Sequence, residues 1–192
     1  MQVQAPAGVT FTSIIGGMYH SVALGSDGNA YAWGYNNYGQ LGNGTNTSNA
    51  ALQTVIDTGN TALSGVVRIA TGYGFACALR TDGRVWCWGY NGYGELGDGT
   101  GSTRYRAAVV PNLFDVVHIS AGHNHACAVR DNGTVWCWGY NGYGQLGDGT
   151  ATDSSIPEMV PGFNGAVEVS CGAYHTCVRL TSGQVRCWGY NG

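Results

Sequence analysis

Lysine is absent from this sequence, and charged residues of any kind are scarce. The 192 residues include eight basic ones, all arginine, and the net charge is −3. Because phosphate recognition needs clustered positive charge, the composition argues against nucleic-acid binding. No apolar run approaches the roughly 18 residues of a membrane-spanning helix. Met1–Pro6 lacks the basic and apolar segments of a secretory signal, so a signal of an exported form would lie outside this sequence.

A helical apolar period is also missing, and this absence indicates a chain built from strands. Charged residues make up only 10% of the chain and aromatic residues 11%, which is unlike a disordered chain. The 33 glycines do not recur at every third position, which excludes a collagen-like fold. The sequence therefore predicts a folded, glycine-rich, all-β protein.

The sequence repeats with a period of about 50 residues. Tyr-Asn-Gly-Tyr-Gly-Glu-Leu-Gly-Asp-Gly-Thr occupies 90–100 and recurs at 140–150 with one change, while looser copies begin at Tyr35 and Tyr190. Successive Trp-Gly pairs are 55, 50 and 50 residues apart. The longer first interval is expected to be a lengthened loop at Asn46–Ser64. The pairs begin at Trp33, Trp88, Trp138 and Trp188.

Each repeat is expected to contain four short strands. In the second repeat these are Val66–Ala70, Ala76–Arg80, Val85–Trp88 and Ala107–Val110, with a hairpin turn at Thr81–Gly83. Four strands in each of four repeats predict a β-propeller of four-stranded antiparallel blades in a single domain, residues 1–192. The repeats span approximately 9–65, 66–115, 116–165, and 166–192 with 1–8.

The two ends of the chain complement each other. Gln2–Pro6 aligns with Val109–Pro111, the end of a fourth strand, and the last repeat lacks that strand. We therefore expect the N-terminal strand to complete the last blade, within one chain or between two. Bulky tryptophans favour a wide ring, and two chains completing eight blades as a homo-oligomer are the expected assembly.

One repeat carries a recognisable motif. Gly122–Gly147 contains Gly-x-x-His, then Gly-x-Val-x-x-Trp-Gly-x-Asn and Gly-Gln-Leu-Gly. This pattern resembles the repeat of the RCC1-like (regulator of chromosome condensation) superfamily, over essentially the whole chain. The resemblance implies a β-propeller, usually of seven blades. It does not fix a function, since family members include exchange factors, enzyme inhibitors and adaptors.

Six of the seven cysteines form pairs ten residues apart across predicted hairpin turns. Opposed positions on antiparallel strands lie within disulfide range, whereas zinc sites favour closer cysteine spacing and free buried thiols remain an alternative. The first repeat lacks both partners, with Val22 and Ala32 in their place. We expect disulfides, no metal site and an oxidising, extracellular or periplasmic location. The pairs are Cys77/Cys87, Cys127/Cys137 and Cys177/Cys187.

A repeated histidine position and an unpaired cysteine are expected to have structural roles. His20, His125 and His175 share one repeat position that Phe75 fills in the second repeat, so we expect a buried imidazole bonded to backbone. Cys171, matched by alanine and threonine elsewhere, is expected to be a small buried side chain. The glycosylation triplets at Asn43, Asn46 and Asn132 are attributed to composition.

Function is expected where the repeats differ. The loop Gly101–Arg106 offers Arg104, Tyr105 and Arg106, residue types favoured at protein interfaces. Tyr38, Tyr93 and Tyr143 offer rings that could stack on sugars. No nucleophile, base and orienting group can be named together, and no cofactor is implied, so an enzyme is not expected.

The leading hypothesis is a scaffold or binding propeller that recognises a protein surface through its variable loops. A carbohydrate-binding propeller is the alternative, and a guanine-nucleotide exchange factor for a small GTPase ranks third.

Overall fold

The protein folds into four antiparallel sheets in a computed structural model that describes residues 2–192. Those residues form fifteen strands and no helix, and therefore no helix that could cross a membrane. Blade 1 contains β1 (Phe11–Gly16), β2 (His20–Gly25), β3 (Ala30–Gly34) and β4 (Asn49–Thr54). Blade 2 contains β5 (Val66–Thr71), β6 (Phe75–Arg80), β7 (Val85–Gly89) and β8 (Arg104–Val109). Blade 3 contains β9 (Val116–Ala121), β10 (His125–Arg130), β11 (Val135–Gly139) and β12 (Ser154–Val160). Blade 4 contains β13 (Ala166–Cys171), β14 (His175–Leu180) and β15 (Val185–Gly189).

Strands that follow one another in sequence are neighbours in each sheet. The second and third strands of every blade meet at a tight turn whose glycine has a positive φ of 73–83°. Glycine adopts this conformation without a Cβ penalty, which fixes the hairpin register. The predicted hairpins and the all-β propeller architecture are confirmed. The turn glycines are Gly28, Gly83, Gly133 and Gly183.

The two faces of a blade pack against different neighbours. In blade 2, Trp88 is fully buried against Val22 and Leu41 of blade 1. Cys87, which points to the opposite face by strand alternation, packs in the core shared with blade 3, beside Trp138. Alternate residues of β7 are therefore divided between the two faces of the blade.

The first long connection differs from the expected loop. Asn46–Ser64 contains the whole of β4, which pairs with β3. The inserted residues instead form a turn at 57–61, where the Asp57 carboxylate accepts hydrogen bonds from the N–H groups of Gly59 and Thr61. Polar composition concealed the strand because β4 is an exposed edge strand, with little apolar patterning.

Closure of the last blade within the chain is not observed. Blade 4 has three strands, and Gln2–Pro6 is not a strand. Residues 2–4 instead border a groove with Ala50–Leu52, on β4 of blade 1. Among residues 2–192 no hydrogen bond joins blade 1 to blade 4. The four blades pack in chain order as an arc, so the N-terminal segment does not reach β15 of its own chain. Of the two alternatives left open by the sequence, closure within one chain is therefore wrong, and closure between two chains stays a prediction.

Three disulfides join the second and third strands of blades 2, 3 and 4. The partners are directly opposed, and their Cα atoms are 4.1 Å apart. Cys171 carries a free thiol. The bonds are Cys77–Cys87, Cys127–Cys137 and Cys177–Cys187.

Replacing Cys127 by Val together with Cys137 by Ala copies the residues of blade 1 and removes one bridge. Loss of this short closed loop is expected to lower the free energy of unfolding by about 2–3 kcal/mol. Urea denaturation without reductant measures the effect, after intact mass has shown the parent protein to be six hydrogen atoms lighter than its reduced form. Equal stability of parent and variant would contradict a bridge at this position.

Candidate binding surface

A buried asparagine fixes the start of each loop between the third and fourth strands. Asn91 is fully buried; its Oδ1 accepts a hydrogen bond from the Leu96 N–H at 2.9 Å. Its Nδ2 donates to the carbonyls of Thr100 and Ser102. Asn36 and Asn141 make the corresponding bonds in blades 1 and 3. One side chain thus replaces the ladder bonds that an irregular loop lacks.

A second buried residue in the loop joins it to the next blade. The Glu95 carboxylate accepts a hydrogen bond from the Tyr93 N–H at 2.9 Å, and the Glu95 backbone carbonyl accepts one from the Trp138 indole at 2.8 Å. Gln40 bonds Tyr38 and Trp88 in the same way, and Gln145 bonds Tyr143 and Trp188. The residue that orients a loop tyrosine therefore also holds the adjoining blade.

These loops hold a continuous row of aromatic rings. The closest centroid distances are 5.1 Å for Tyr38–Tyr90, 5.1 Å for Tyr93–Tyr140 and 5.0 Å for Tyr143–Tyr190, all edge-to-face. Edge-to-face packing is the favoured geometry for aromatic pairs. The outer row runs through Tyr35, Tyr38, Tyr90, Tyr93, Tyr140, Tyr143 and Tyr190.

A second, inner row comes from the turns between the first and second strands. Tyr73 lies 4.7 Å from His123, and the ends of this row contact the outer row through Tyr19–Tyr35 and Tyr143–Tyr174. We call the two rows together the tyrosine surface. It contains every tyrosine of the chain except Tyr31 and Tyr105. The inner row consists of Tyr19, Tyr73, His123 and Tyr174.

The segments that form the tyrosine surface carry almost no charge of their own, although the Asp153 carboxylate accepts a hydrogen bond from the Asn141 N–H beside Tyr140. These segments contain no arginine, lysine or aspartate, and their single glutamate, Glu95, is fully buried. Tyr93 and Tyr143 are 41% and 48% exposed, so their rings are accessible as well as packed. The segments are 17–20, 34–40, 72–75, 89–95, 122–125, 139–145, 172–175 and 189–192.

The structure separates the two groups of predicted binding residues. Tyr38, Tyr93 and Tyr143 all belong to the tyrosine surface, whereas Arg104–Arg106 opens strand β8 rather than lying in a loop. Arg104 pairs with Asp98.

The other two residues of the Arg104–Arg106 group contact the first blade. The Arg106 guanidinium donates to the Asn60 side-chain oxygen at 2.8 Å. The Tyr105 carbonyl accepts a hydrogen bond from the Gly44 N–H, and its ring is 40% exposed. The polar groups of this patch are therefore already bonded within the chain.

The inner row was missed by sequence reasoning, although a signal exists. Every Gly-x-x-His or Gly-x-x-Phe turn has a ring at its second or third position. The rings vary in position and type, which hides them in a simple repeat alignment, while the fold brings them to one face. They are Tyr19, Tyr73, His123 and Tyr174.

The repeated histidines bond differently from expectation. His125 is fully buried, as predicted, but its Nε2 lies 2.9 Å from the Thr176 hydroxyl of blade 4 and not on a backbone group. His20 is buried, and both its ring nitrogens lack partners among residues 2–192. His175 is exposed. The prediction of a backbone-bonded imidazole is therefore wrong, because the side chain reaches across the blade junction.

Glu95 is the buried acid in a position that is glutamine in blades 1 and 3. Burial raises the pKa of its carboxyl to about 7, and the nearby Asp153 charge adds to this effect, against the hydrogen bond from Tyr93. Oε1 has no partner within the described chain. Between about pH 4.5 and 7 the folded state holds a proton that the unfolded chain releases, so folding stability falls as pH rises through this range.

Replacing Glu95 by Gln is expected to remove this pH dependence. The parent should lose about 3 kcal/mol of unfolding free energy between pH 4.5 and pH 8 from this group, and the variant should not. Urea denaturation across that range measures both. Gln145→Glu, the reciprocal change in blade 3, should introduce the same fall of unfolding free energy with rising pH. Parallel pH profiles for parent and Glu95→Gln would refute the assignment.

The repeats match a known protein family. Matches to the regulator of chromosome condensation (RCC1) repeat cover residues 27–79, 82–129 and 132–179, well over half of the chain. The chain belongs to the RCC1 repeat family. A second RCC1 repeat description matches residues 13–40, 66–95 and 116–145.

Curated relatives match this chain over only part of their length. The ultraviolet-B receptor UVR8 of Arabidopsis thaliana is 31% identical over 98 residues, covering 51% of this chain and 22% of the receptor. The human E3 ubiquitin-protein ligase HERC2 is 37% identical over 97 residues, covering 48% of this chain and 2% of the ligase. The chain thus corresponds to a small part of each relative.

Solved structures confirm the fold. Human WBSCR16 superposes with a TM-score of 0.84 at 25% identity, covering all of this chain and 50% of WBSCR16. Yeast RCC1 (Prp20), crystallised bound to Kap60, superposes with a TM-score of 0.70 at 21% identity, covering 95% of this chain and 42% of Prp20. The four blades therefore match about half of each of these propellers.

Proposed function

We propose that this chain is a non-enzymatic binding module that recognises a protein partner through the tyrosine surface. The observation that carries the proposal is one continuous, uncharged set of rings on loops that are clamped by buried side chains. Tyrosine supplies a large contact area at a low cost in conformational entropy. Because the loops are already fixed, little further entropy is lost when a partner binds.

The relatives support a protein as the partner. Prp20 was crystallised with Kap60, and a second Prp20 structure is described together with its binding to Gsp1p and histones. These statements concern Prp20, whose identity to this chain is 21%. Propellers of this family thus include protein-binding members, and a family of this kind suits a binding role without catalysis.

A neutral carbohydrate is the second candidate ligand. The scarcity of charge in the segments of the tyrosine surface favours it, since a sugar ring needs apolar faces and hydroxyl groups rather than ion pairs. Tyr93 and Tyr143 offer both, with rings 41% and 48% exposed. In this alternative, Tyr38 contributes a half-buried ring to the same platform.

Replacing Tyr93 or Tyr143 by Ser tests the site. Each change is expected to weaken binding at least about tenfold, because an exposed aromatic anchor contributes about 1.4 kcal/mol or more at an interface. Capture from culture supernatant identifies a protein partner, a glycan array detects a sugar, and calorimetry with the recovered ligand measures the change.

Tyr105→Ser is the matched control, because Tyr105 is as exposed as Tyr93 but lies on β8, outside the tyrosine surface. Full binding by this variant is expected. If Tyr105→Ser abolished binding while Tyr93→Ser did not, the Arg104–Arg106 patch would be the binding surface instead.

The proposed setting is extracellular or periplasmic, because three disulfides suit an oxidising compartment. For assembly we propose two copies that complete one ring, with Gln2–Pro6 of one pairing with β15 of the other. The exposed edge of β15 and the apolar side chains Ile14 and Val185, 64% and 61% exposed, support this arrangement.

Light scattering on the pure 192-residue chain tests the assembly. At micromolar concentration we expect twice the monomer mass of 20.1 kDa. Val185→Glu should return the mass to that of a monomer, because it places a charge in the proposed contact. A compact monomer of the parent chain would overturn the two-copy ring and leave the tyrosine surface untouched.

A further inference from the structure

The junction between blades 3 and 4 gathers three potential metal ligands away from the tyrosine surface. His125 and Cys127 lie on β10, and Cys171 ends β13; their ligand atoms are all within 4.8 Å of one another. Cys137, on β11, is bonded to Cys127 and adds a third sulfur. The sequence hides this set, because Cys171 is 34 residues beyond Cys137.

The side chains at this junction suit metal binding. His125 is fully buried, and its neutral imidazole is the form that coordinates metals. Its Nδ1 has no partner among residues 2–192. The ring proton can therefore move to Nδ1 without breaking a hydrogen bond at that nitrogen. Nε2 is then free to bind a metal once it leaves the Thr176 hydroxyl that it now contacts.

Access to the junction is open from one side. Cys171 borders a central cavity of about 260 Å³ together with Gly122 and Gly172. A metal ion that binds the Cys171 sulfur must displace its proton, so affinity should rise with pH.

The other blade junctions do not share this composition. At the junction of blades 2 and 3 the corresponding residues are Phe75, the Cys77–Cys87 bridge and Ala121. The chain thus contains a matched junction with a cysteine pair but without the histidine or the third sulfur.

We propose that Cys127, Cys137, Cys171 and His125 form a zinc site when the Cys127–Cys137 bridge is reduced. A dithiol reductant supplies two electrons and two protons, and is itself oxidised to a disulfide, as the bridge becomes two thiols. Zn²⁺ then binds three thiolates and one imidazole, and the thiol protons are released to solvent. Three cysteines and one histidine are an established ligand set for structural zinc, with tetrahedral geometry.

The ion would connect β10 and β11 of blade 3 to β13 of blade 4. It would therefore replace a bond within one blade by a link between two blades. With Zn–S distances of about 2.3 Å and tetrahedral geometry, the Cys127 and Cys137 sulfurs must move apart once their bond is reduced. The ligand atoms of His125, Cys127 and Cys171, now within 4.8 Å of one another, must approach slightly.

The test uses a chain in which the other two bridges carry the residues of blade 1. In this background Cys77→Val, Cys87→Ala, Cys177→Val and Cys187→Ala leave Cys127, Cys137 and Cys171. The protein is reduced with a phosphine, freed of metal and titrated with Zn²⁺ alone. One ion per chain is expected, with a rise in melting temperature, and Co²⁺ in its place should give the visible absorption of a tetrahedral thiolate site.

Single changes then assign the ligands. Cys171→Ala and His125→Phe should each weaken Zn²⁺ binding at least about tenfold. His125→Phe should keep the oxidised fold, since Phe75 occupies the matched position in blade 2. In the otherwise unmodified chain, Phe75→His with Ala121→Cys should raise the capacity of the reduced protein by one ion.

Three results would overturn the proposal. The first is Zn²⁺ affinity that is unchanged by Cys171→Ala, which would place the ion on the cysteine pair alone. The second is no binding at micromolar Zn²⁺. The third is a melting temperature of the reduced background chain that does not rise when Zn²⁺ is added, since an ion that binds the folded site must stabilise the fold.

Discussion

A hydrogen bond between blades is the interaction on which the structure depends. At each junction the indole N–H of one blade donates to the backbone carbonyl of Gln40, Glu95 or Gln145 in the preceding blade, at 2.8–2.9 Å. One such bond is worth about 1 kcal/mol. Its larger effect is geometric, because the same residue also bonds a tyrosine N–H and so fixes the loop that carries the ring.

Because one residue holds both a loop and the adjoining blade, the fold needs few charged side chains. Blade packing rests on buried tryptophan, valine and leucine, and the loops are held by uncharged amides such as Asn91. Charged side chains lie mostly at the outer strands and turns, as in the Arg104–Asp98 pair. One face is therefore left mainly to aromatic rings, with the Asp153 carboxylate, which accepts a hydrogen bond from the Asn141 N–H, as a charge beside it.

The repeats made most of the fold predictable. The spacing of the tryptophans gave the blade count, the Asp-Gly turns gave the hairpins, and the joint absence of cysteine at Val22 and Ala32 indicated the bridges. The position of strand β4, within the segment expected to be a loop, was not foreseen because its residues are polar and exposed. Whether the last blade closes within one chain or between two stayed open, because the angle between blades depends on side-chain packing across the junctions and not on any local pattern.

The candidate sites were predictable only in part. Tyr38, Tyr93 and Tyr143 stand in the repeat itself and could be singled out, but their neighbours Tyr73 and His123 come from a different turn. Contacts across blades, such as His125 with Thr176 or the approach of Cys171 to Cys127, join residues about 50 positions apart. Only the assembled arc places them together, so no spacing rule could reveal them.

Hydrogen exchange in an Asn91→Ala variant tests most directly whether buried amides fix the tyrosine loops. If Asn91 holds its loop, the backbone amides of residues 90–97 should exchange faster in the variant. The effect should be largest at Leu96, because the substitution removes the acceptor of its N–H. Exchange in residues 140–147, held by Asn141, should be unchanged and serves as the internal reference. Unaltered protection of residues 90–97 in the variant would show that the Asn91 side chain does not fix this loop.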